Sequence, residues 1–138
     1  MDYFNLTSPC GLDCFNCQLY LAGTDEDLRA RLAEQLKIAP DAARCNGCRN
    51  QVGQVPAIGR HEPCRIYQCV EDQGLTFCGD YSDFPCDHLH PVADQADLRP
   101  HNTKVFNCCR IKKMGLKKWA IEKALSVRAT YFNGTIRL

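Results

Sequence analysis

The sequence predicts a small α+β domain that is mostly helical and irregular, is stapled by metal ions and ends in a short hairpin. Three observations lead to this fold class. The 138 residues match the size of one ordinary domain. Eleven of them are cysteine, a density at which disulfides or metal ions are expected to stabilise the fold. Apolar residues recur at helical spacing in several segments, and the overall composition excludes a disordered or fibrous chain.

The first half of the chain contains two predicted helices. Over about residues 25–38, leucines repeat every four residues at Leu28, Leu32 and Leu36. Thr24 and Asp27 have the form of a capping box at the start of this helix. A shorter helix is predicted over about 63–73, with a proline in its first turn and Gly74 as its stop. The proline- and glycine-containing stretch 40–62 predicts a loop.

Two helices and a hairpin are predicted in the last third. One helix runs from about Thr103 to Met114 and ends at Gly115. The next has an apolar stripe interrupted only by Lys123: Leu116, Trp119, Ala120, Ala124 and Val127. Beyond it, Asn-Gly lies between aromatic and β-branched residues over 131–136, which predicts a short C-terminal hairpin.

The cellular compartment affects how the cysteines are interpreted. The first residues, Met1 to Leu6, have neither the basic region nor the apolar region of a secretory signal, and no apolar run is long enough to span a membrane. We therefore expect a cytoplasmic protein. Because disulfides are rare in that reducing compartment, an odd number of cysteines with repeated Cys-x-x-Cys spacing favours metal binding.

Charge divides the chain into two parts. Residues 1–100 carry a net charge of −7 and nine of the cysteines, whereas residues 101–138 carry +8. We interpret 1–100 as an acidic, cysteine-rich metal-binding module and 101–138 as a basic helical segment with the C-terminal hairpin. The second part is expected to pack on the first as one domain.

Ten residues are candidate metal ligands because thiolate and imidazole groups suit zinc. They are Cys10, Cys14 and Cys17, then Cys45 and Cys48, then His61, Cys64, Cys69, Cys78 and Cys86. Cys45-x-x-Cys48 followed by His61-x-x-Cys64 forms a four-ligand set of the kind that holds structural zinc. The other six thiols exceed the needs of one mononuclear site. Either a second site takes four of them or several metals share them, so we expect one or two zinc ions.

Other chemistry fits parts of the same pattern. The spacing Cys10-x-x-x-Cys14-x-x-Cys17 is also that of radical enzymes that use S-adenosylmethionine, but the chain is too short for their barrel. An iron-sulfur cluster on this set, or thiol-disulfide exchange at a Cys-x-x-Cys motif, remains the alternative. The adjacent Cys108 and Cys109 are expected to be small buried residues on a helix.

The cysteines also form an ordered series over about residues 8–90. It comprises Cys10-Gly-Leu-Asp-Cys14-x-x-Cys17, Cys45-x-Gly-Cys48, Cys64-Arg-Ile-x-x-Cys69-Val-Glu, Cys78 and Asp83-Phe-Pro-Cys86. This series resembles the uncharacterised prokaryotic family known as domain of unknown function 3795. The resemblance implies a small cysteine-rich protein that is expected to bind zinc, with no established activity or partner.

Two positions depart from that family. Its members often have cysteine where this chain has His61 and Tyr81. The imidazole of His61 is able to keep a zinc site intact. Tyr81 is a poor zinc ligand, so the site that involves Cys78 is expected to be remodelled or lost, with Cys86 or an N-terminal thiol taking the open position.

The predicted function is that of a non-enzymatic zinc-binding protein with structural sites. A closed four-ligand site leaves no position for substrate, which favours a protein-interaction module over an enzyme. The basic 104–123 segment is a possible nucleic-acid surface, but an unknown protein partner or self-association explains its charge better. No membrane partner is expected. The alternative is an iron-sulfur or thiol redox protein.

Overall fold

The computed structural model describes residues 1–136 and is mostly helical. Within that range the α-helices are α1 (Gln18–Leu21), α2 (Glu26–Leu36), α3 (Arg65–Asp72), α4 (Lys104–Met114), α5 (Leu116–Glu122) and α6 (Ala124–Asn133). Short 3-10 turns and irregular chain connect them. The β-structure of the described residues consists of two isolated bridges, Thr7 to Asp13 and Val55 to Arg60. The prediction of a small, mostly helical fold is therefore confirmed, whereas the α+β label is not.

The four predicted helical segments are all helical, with one correction at the start of α2. Asp25, and not Thr24, caps this helix, because its carboxylate accepts the N–H of Leu28 at 2.9 Å. The hydroxyl of Thr24 instead donates to the carbonyl of Leu21 at 3.3 Å. The capping box predicted from Thr24 is therefore wrong by one residue.

The end of the chain differs more from the prediction. The apolar stripe predicted as one helix is divided at Lys123, which has φ −129° and separates α5 from α6. The hairpin predicted over 131–136 is wrong, because α6 continues to Asn133 and the N–H of Gly134 bonds to the carbonyl of Thr130 at 2.9 Å. An Asn-Gly pair ends a helix as well as it turns a hairpin, and the described residues supply no strand to pair with.

Two buried clusters connect the C-terminal helices to the cysteine-rich part. Trp119 of α5 is fully buried and packs edge to face on Phe15, with 6.1 Å between ring centroids. Leu6, Phe77 and Ile111 belong to the same cluster. The second cluster contains three cysteines together with a valine and a leucine: Cys10, Val70, Cys78, Leu89 and Cys108. These thiols are therefore part of the hydrophobic core.

No helix among the described residues has the length and apolar character needed to cross a membrane.

Candidate metal centre

Two Cys-x-x-Cys turns lie side by side and form what we call the knuckle cluster, defined as Cys14, Cys17, Cys45 and Cys48. The backbone N–H of Cys48 lies close enough to the Cys14 thiol to offset part of the rise in the pKa of that thiol, which places the second turn beside the first. The N–H of Cys45 bonds to the carbonyl of Leu19 at 2.9 Å, just after the first turn. The thiols of Cys17 and Cys45 are also close enough to influence each other. The fold thus brings two sequence-distant motifs together.

Local backbone geometry holds the second turn in place. Gly47 has φ +95°, in the left-handed region, and its N–H donates to the sulfur of Cys45 at 3.4 Å. The thiol of Cys45 donates to the side-chain oxygen of Gln51 at 2.8 Å. Gly53, with φ +76°, closes the loop through a 2.9 Å bond from its N–H to the carbonyl of Cys48. N–H groups directed at sulfur are what a bound thiolate needs.

The environment opposes free thiolates in this cluster. Burial raises the pKa of the Cys14 thiol to about 12, and the neighbouring thiols of Cys17, Cys10 and Cys45 add to this increase, partly offset by the Cys48 N–H. Burial also raises the pKa of Cys48, with further contributions from Cys10, Cys14 and Cys64. These thiols are therefore protonated at neutral pH unless a cation compensates their negative charge.

A second group of candidate ligands surrounds a small cavity of about 20 Å³. Cys69 on α3, Cys78 in a 3-10 turn, and Cys86 with His88 in the following loop line this cavity, and we call these four residues the cavity cluster. The remaining lining consists of Ile66, Val70, Leu75 and Tyr81. Burial raises the pKa of Cys78, and the nearby thiols of Cys10, Cys108, Cys86 and Cys69 contribute to this shift.

Cys10 lies between the two groups, and Cys108 lies beside Cys10 and Cys78. Cys10 influences the pKa of thiols in both clusters, and its sulfur is 3.1 Å from the hydroxyl of Ser8. Cys108 is 1% exposed and packs closely against Gly79. Cys109 is exposed, so the prediction of two buried cysteines is correct only for Cys108. Successive helical residues point about 100° apart, which accounts for the difference.

His61 and Cys64 are placed differently from each other. Cys64 begins α3, where its sulfur accepts the N–H of Tyr67 at 3.3 Å, and it lies near Cys48. His61 is exposed on the preceding loop. No group of three or more His, Cys, Asp or Glu side chains within 1–136 is already arranged to hold a metal ion, and this applies to the set predicted from Cys45, Cys48, His61 and Cys64 as it does to the other cysteines.

The cysteine and histidine side chains are suitable zinc ligands, but those of the described residues are not yet arranged around a common point. All eleven cysteines are free thiols, and most of those up to Cys86 fall into the two clusters. Soft sulfur donors with one imidazole are the ligands that zinc prefers in structural sites. A zinc site here requires the thiols to rotate toward a common point.

His88 is the residue of this centre that sequence analysis did not select. Its spacing after Cys86, with one residue between them, is a signal that was visible in the sequence. His88 lies beside Cys69 and Cys78 because α3 and the turn at Cys78 pack against the loop that carries His88. Sequence spacing alone does not predict this tertiary contact.

The basic segment is partly used inside the molecule. Lys104 is buried, with its Nζ 2.9 Å from Nδ1 of His101. Lys112 donates to the carbonyl of Gly79 at 3.1 Å, beside the buried Cys108. The remaining lysines of this segment, Lys113, Lys117, Lys118 and Lys123, are exposed.

Fold and centre together define a small, mostly helical, cysteine-rich protein with free thiols gathered in two clusters. The chain belongs to the family described as "Protein of unknown function (DUF3795)", whose model matches residues 6–91. The resemblance noted in the sequence is thereby confirmed. The matched range contains every cysteine from Cys10 to Cys86, whereas Cys108 and Cys109 lie beyond it. Neither a curated protein nor a solved structure matches the chain.

Proposed function

We propose that this chain is a non-enzymatic zinc-binding protein whose metal sites are structural and whose surface serves protein interaction. The observation that carries the proposal is the knuckle cluster, in which the N–H of Cys45 bonds to the carbonyl of Leu19 at 2.9 Å and the backbone N–H of Cys48 lies near the thiol of Cys14. Two Cys-x-x-Cys turns facing each other form the ligand arrangement of closed four-sulfur zinc sites. In this proposal Cys14, Cys17, Cys45 and Cys48 hold the first zinc ion.

Zinc binding resolves the electrostatic conflict of the cluster. Burial, with a further contribution from neighbouring thiols, opposes ionisation in this cluster, as the raised pKa values of Cys14 and Cys48 indicate. A divalent cation compensates the charge of the thiolates and makes their deprotonation favourable. Because the thiols are near one another without forming a finished ligand set, metal binding is expected to tighten this part of the fold.

A closed four-ligand site supports binding rather than catalysis, since it leaves no coordination position for water or substrate. The C-terminal helices supply a surface suited to a protein partner or a second copy of the chain. Phe106, Ile121 and Leu125 are 53%, 61% and 64% exposed, and exposed lysines flank them. We place the protein in the cytoplasm, where thiols remain reduced and available to metal.

The test is the metal content of Cys14→Ser compared with Cys109→Ser. Cys14 lies in the knuckle cluster, whereas Cys109 is exposed on α4 and serves as the matched control. We expect Cys14→Ser to lose about one equivalent of zinc and to melt at lower temperature, because a structural site is coupled to folding. Cys109→Ser is expected to match the unmodified chain. Equal zinc content in both variants contradicts the proposal.

A further inference from the structure

We propose that His88 completes a second zinc site together with Cys69, Cys78 and Cys86. This inference rests on the proposed zinc-binding function and adds to it a specific ligand. The observation behind it is the small cavity that these four residues line from three separate parts of the chain. His88 was not among the ligand candidates that spacing suggested.

The cavity has the size and lining of a single-ion site. Its volume of about 20 Å³ exceeds the roughly 10–15 Å³ needed for one water molecule, and it holds little more. Apart from the cavity cluster and Tyr81, its lining is aliphatic: Ile66, Val70 and Leu75. Thiol and imidazole groups are thus the soft donors that face this space, and an aliphatic surround limits the access of water to a bound ion.

The loop that carries His88 is anchored close to the cavity. Leu89 is 3% exposed, and its N–H bonds to the carbonyl of Cys86 at 2.9 Å, which makes a tight turn. Cys78 is held from the other side, since its N–H bonds to the carbonyl of Pro9 at 2.8 Å.

The neighbouring groups are less suitable as the fourth ligand. Tyr81 lines the cavity, but a phenol is not among the Cys, His and carboxylate groups that normally bind zinc. Cys108 does not line the cavity. Cys108 is packed closely by two glycines, since a Cβ on Gly11 would lie 3.0 Å from its sulfur and a Cβ on Gly79 would lie 3.3 Å from its Cβ.

Two other histidines nearby are engaged elsewhere. Nδ1 of His90 lies 2.9 Å from the carbonyl of Pro91, and Nε2 of His101 lies 2.9 Å from the carbonyl of His90. His88 is exposed and lies on the solvent side of the cavity, where an imidazole is able to close it over an ion.

A neutral imidazole also suits the electrostatics. Zinc with three thiolates and one imidazole has a net charge of −1, whereas four thiolates give −2. The lower charge costs less to place among aliphatic side chains.

The experiment is a Co²⁺ and Zn²⁺ titration of the metal-free full chain and of four variants. We expect the unmodified chain to bind about two ions and His88→Ala to bind about one, because loss of a ligand opens the second site. His90→Ala and Tyr81→Phe are the matched controls and are expected to keep about two. His88→Cys is expected to keep two Co²⁺ ions and to show a stronger sulfur-to-cobalt charge-transfer band.

The outcomes separate this inference from the proposed function. If His88→Ala keeps two zinc ions and the cobalt spectrum of the unmodified chain, the assignment of His88 is overturned, while a loss of zinc in Cys14→Ser still supports the knuckle site. If the unmodified chain binds no zinc, both proposals fail. Should His88→Ala not fold, His88→Cys decides: an unchanged charge-transfer band contradicts ligation at this position.

Discussion

The guanidinium of Arg128 binds both oxygens of the Asp13 carboxylate. Nε of Arg128 lies 2.9 Å from Oδ2 and 3.1 Å from Oδ1, and Nη2 lies 2.6 Å from Oδ1. Asp13 is 2% exposed and directly precedes Cys14, so this ion pair ties α6 to the cysteine loop 115 residues earlier in the chain. The last helix thereby positions the first part of the knuckle cluster.

Replacing Arg128 is expected to be strongly destabilising. Arg128→Met leaves the buried Asp13 carboxylate without its cation, which costs about 3–5 kcal/mol in the free energy of unfolding. Glu26→Gln is the control, because its pair with Arg29 is 3.4 Å long and its side chain is 89% exposed. That change is expected to cost less than about 1 kcal/mol. Urea denaturation followed by the fluorescence of the buried Trp119 measures both, and equal losses in the two variants contradict the role given to Arg128.

Gly53 is expected to tolerate no side chain. It has φ +76°, and a Cβ there would lie 2.6 Å from Cβ of Tyr67 and 3.1 Å from the backbone nitrogen of Cys64. Gly53→Ala is therefore expected to cost about 1–3 kcal/mol beyond the backbone strain itself. Gly74→Ala is the matched control, since it has φ +62° but nothing within 4 Å of the added Cβ.

Thermal melting compares these two glycine variants directly. The account predicts a clearly lower melting temperature for Gly53→Ala than for Gly74→Ala, because only the first adds a steric clash to the strain. It also predicts weaker zinc binding in Gly53→Ala, since this glycine closes the loop after Cys48. Equal melting temperatures contradict the close contact between Gly53 and Tyr67 of α3.

Zinc affinity is expected to increase with pH through pH 9. The ordinary thiol pKa is 9.0, and burial raises that of Cys14 to about 12 and also raises that of Cys48. These thiols carry protons in the metal-free fold at pH 7.5 and lose them when zinc binds, so rising pH favours binding until the raised pKa values are passed.

Calorimetry in buffers of different ionisation enthalpy counts the released protons. Among the proposed ligands, Cys14, Cys45, Cys48 and Cys78 have raised pKa values, so zinc binding at both sites is expected to release the protons of these four thiols at pH 7.5. The slope of affinity against pH is expected to persist above pH 9. If zinc affinity stops increasing with pH below pH 9, the thiols with raised pKa values do not control zinc binding.

Local patterns predicted the helices and the buried tryptophan, whereas long-range contacts determined the features that were missed. The leucine repeat predicted α2 to within a few residues, and Gly115 predicted the end of α4. The apolar stripe correctly placed Trp119 in the core. The Asn-Gly pair misled because the same dipeptide ends a helix. The burial of Cys108 and the position of His88 at the cavity both depend on contacts between segments that are far apart in sequence.

The most direct test of the central claim is elemental analysis combined with a visible spectrum of the unmodified protein, purified both in air and without oxygen. The account predicts about two equivalents of zinc and no visible absorption, because zinc has a filled d shell. Iron with inorganic sulfide and a brown anaerobic preparation contradicts it and makes an iron-sulfur protein the better description. Protein that folds with no bound metal contradicts both.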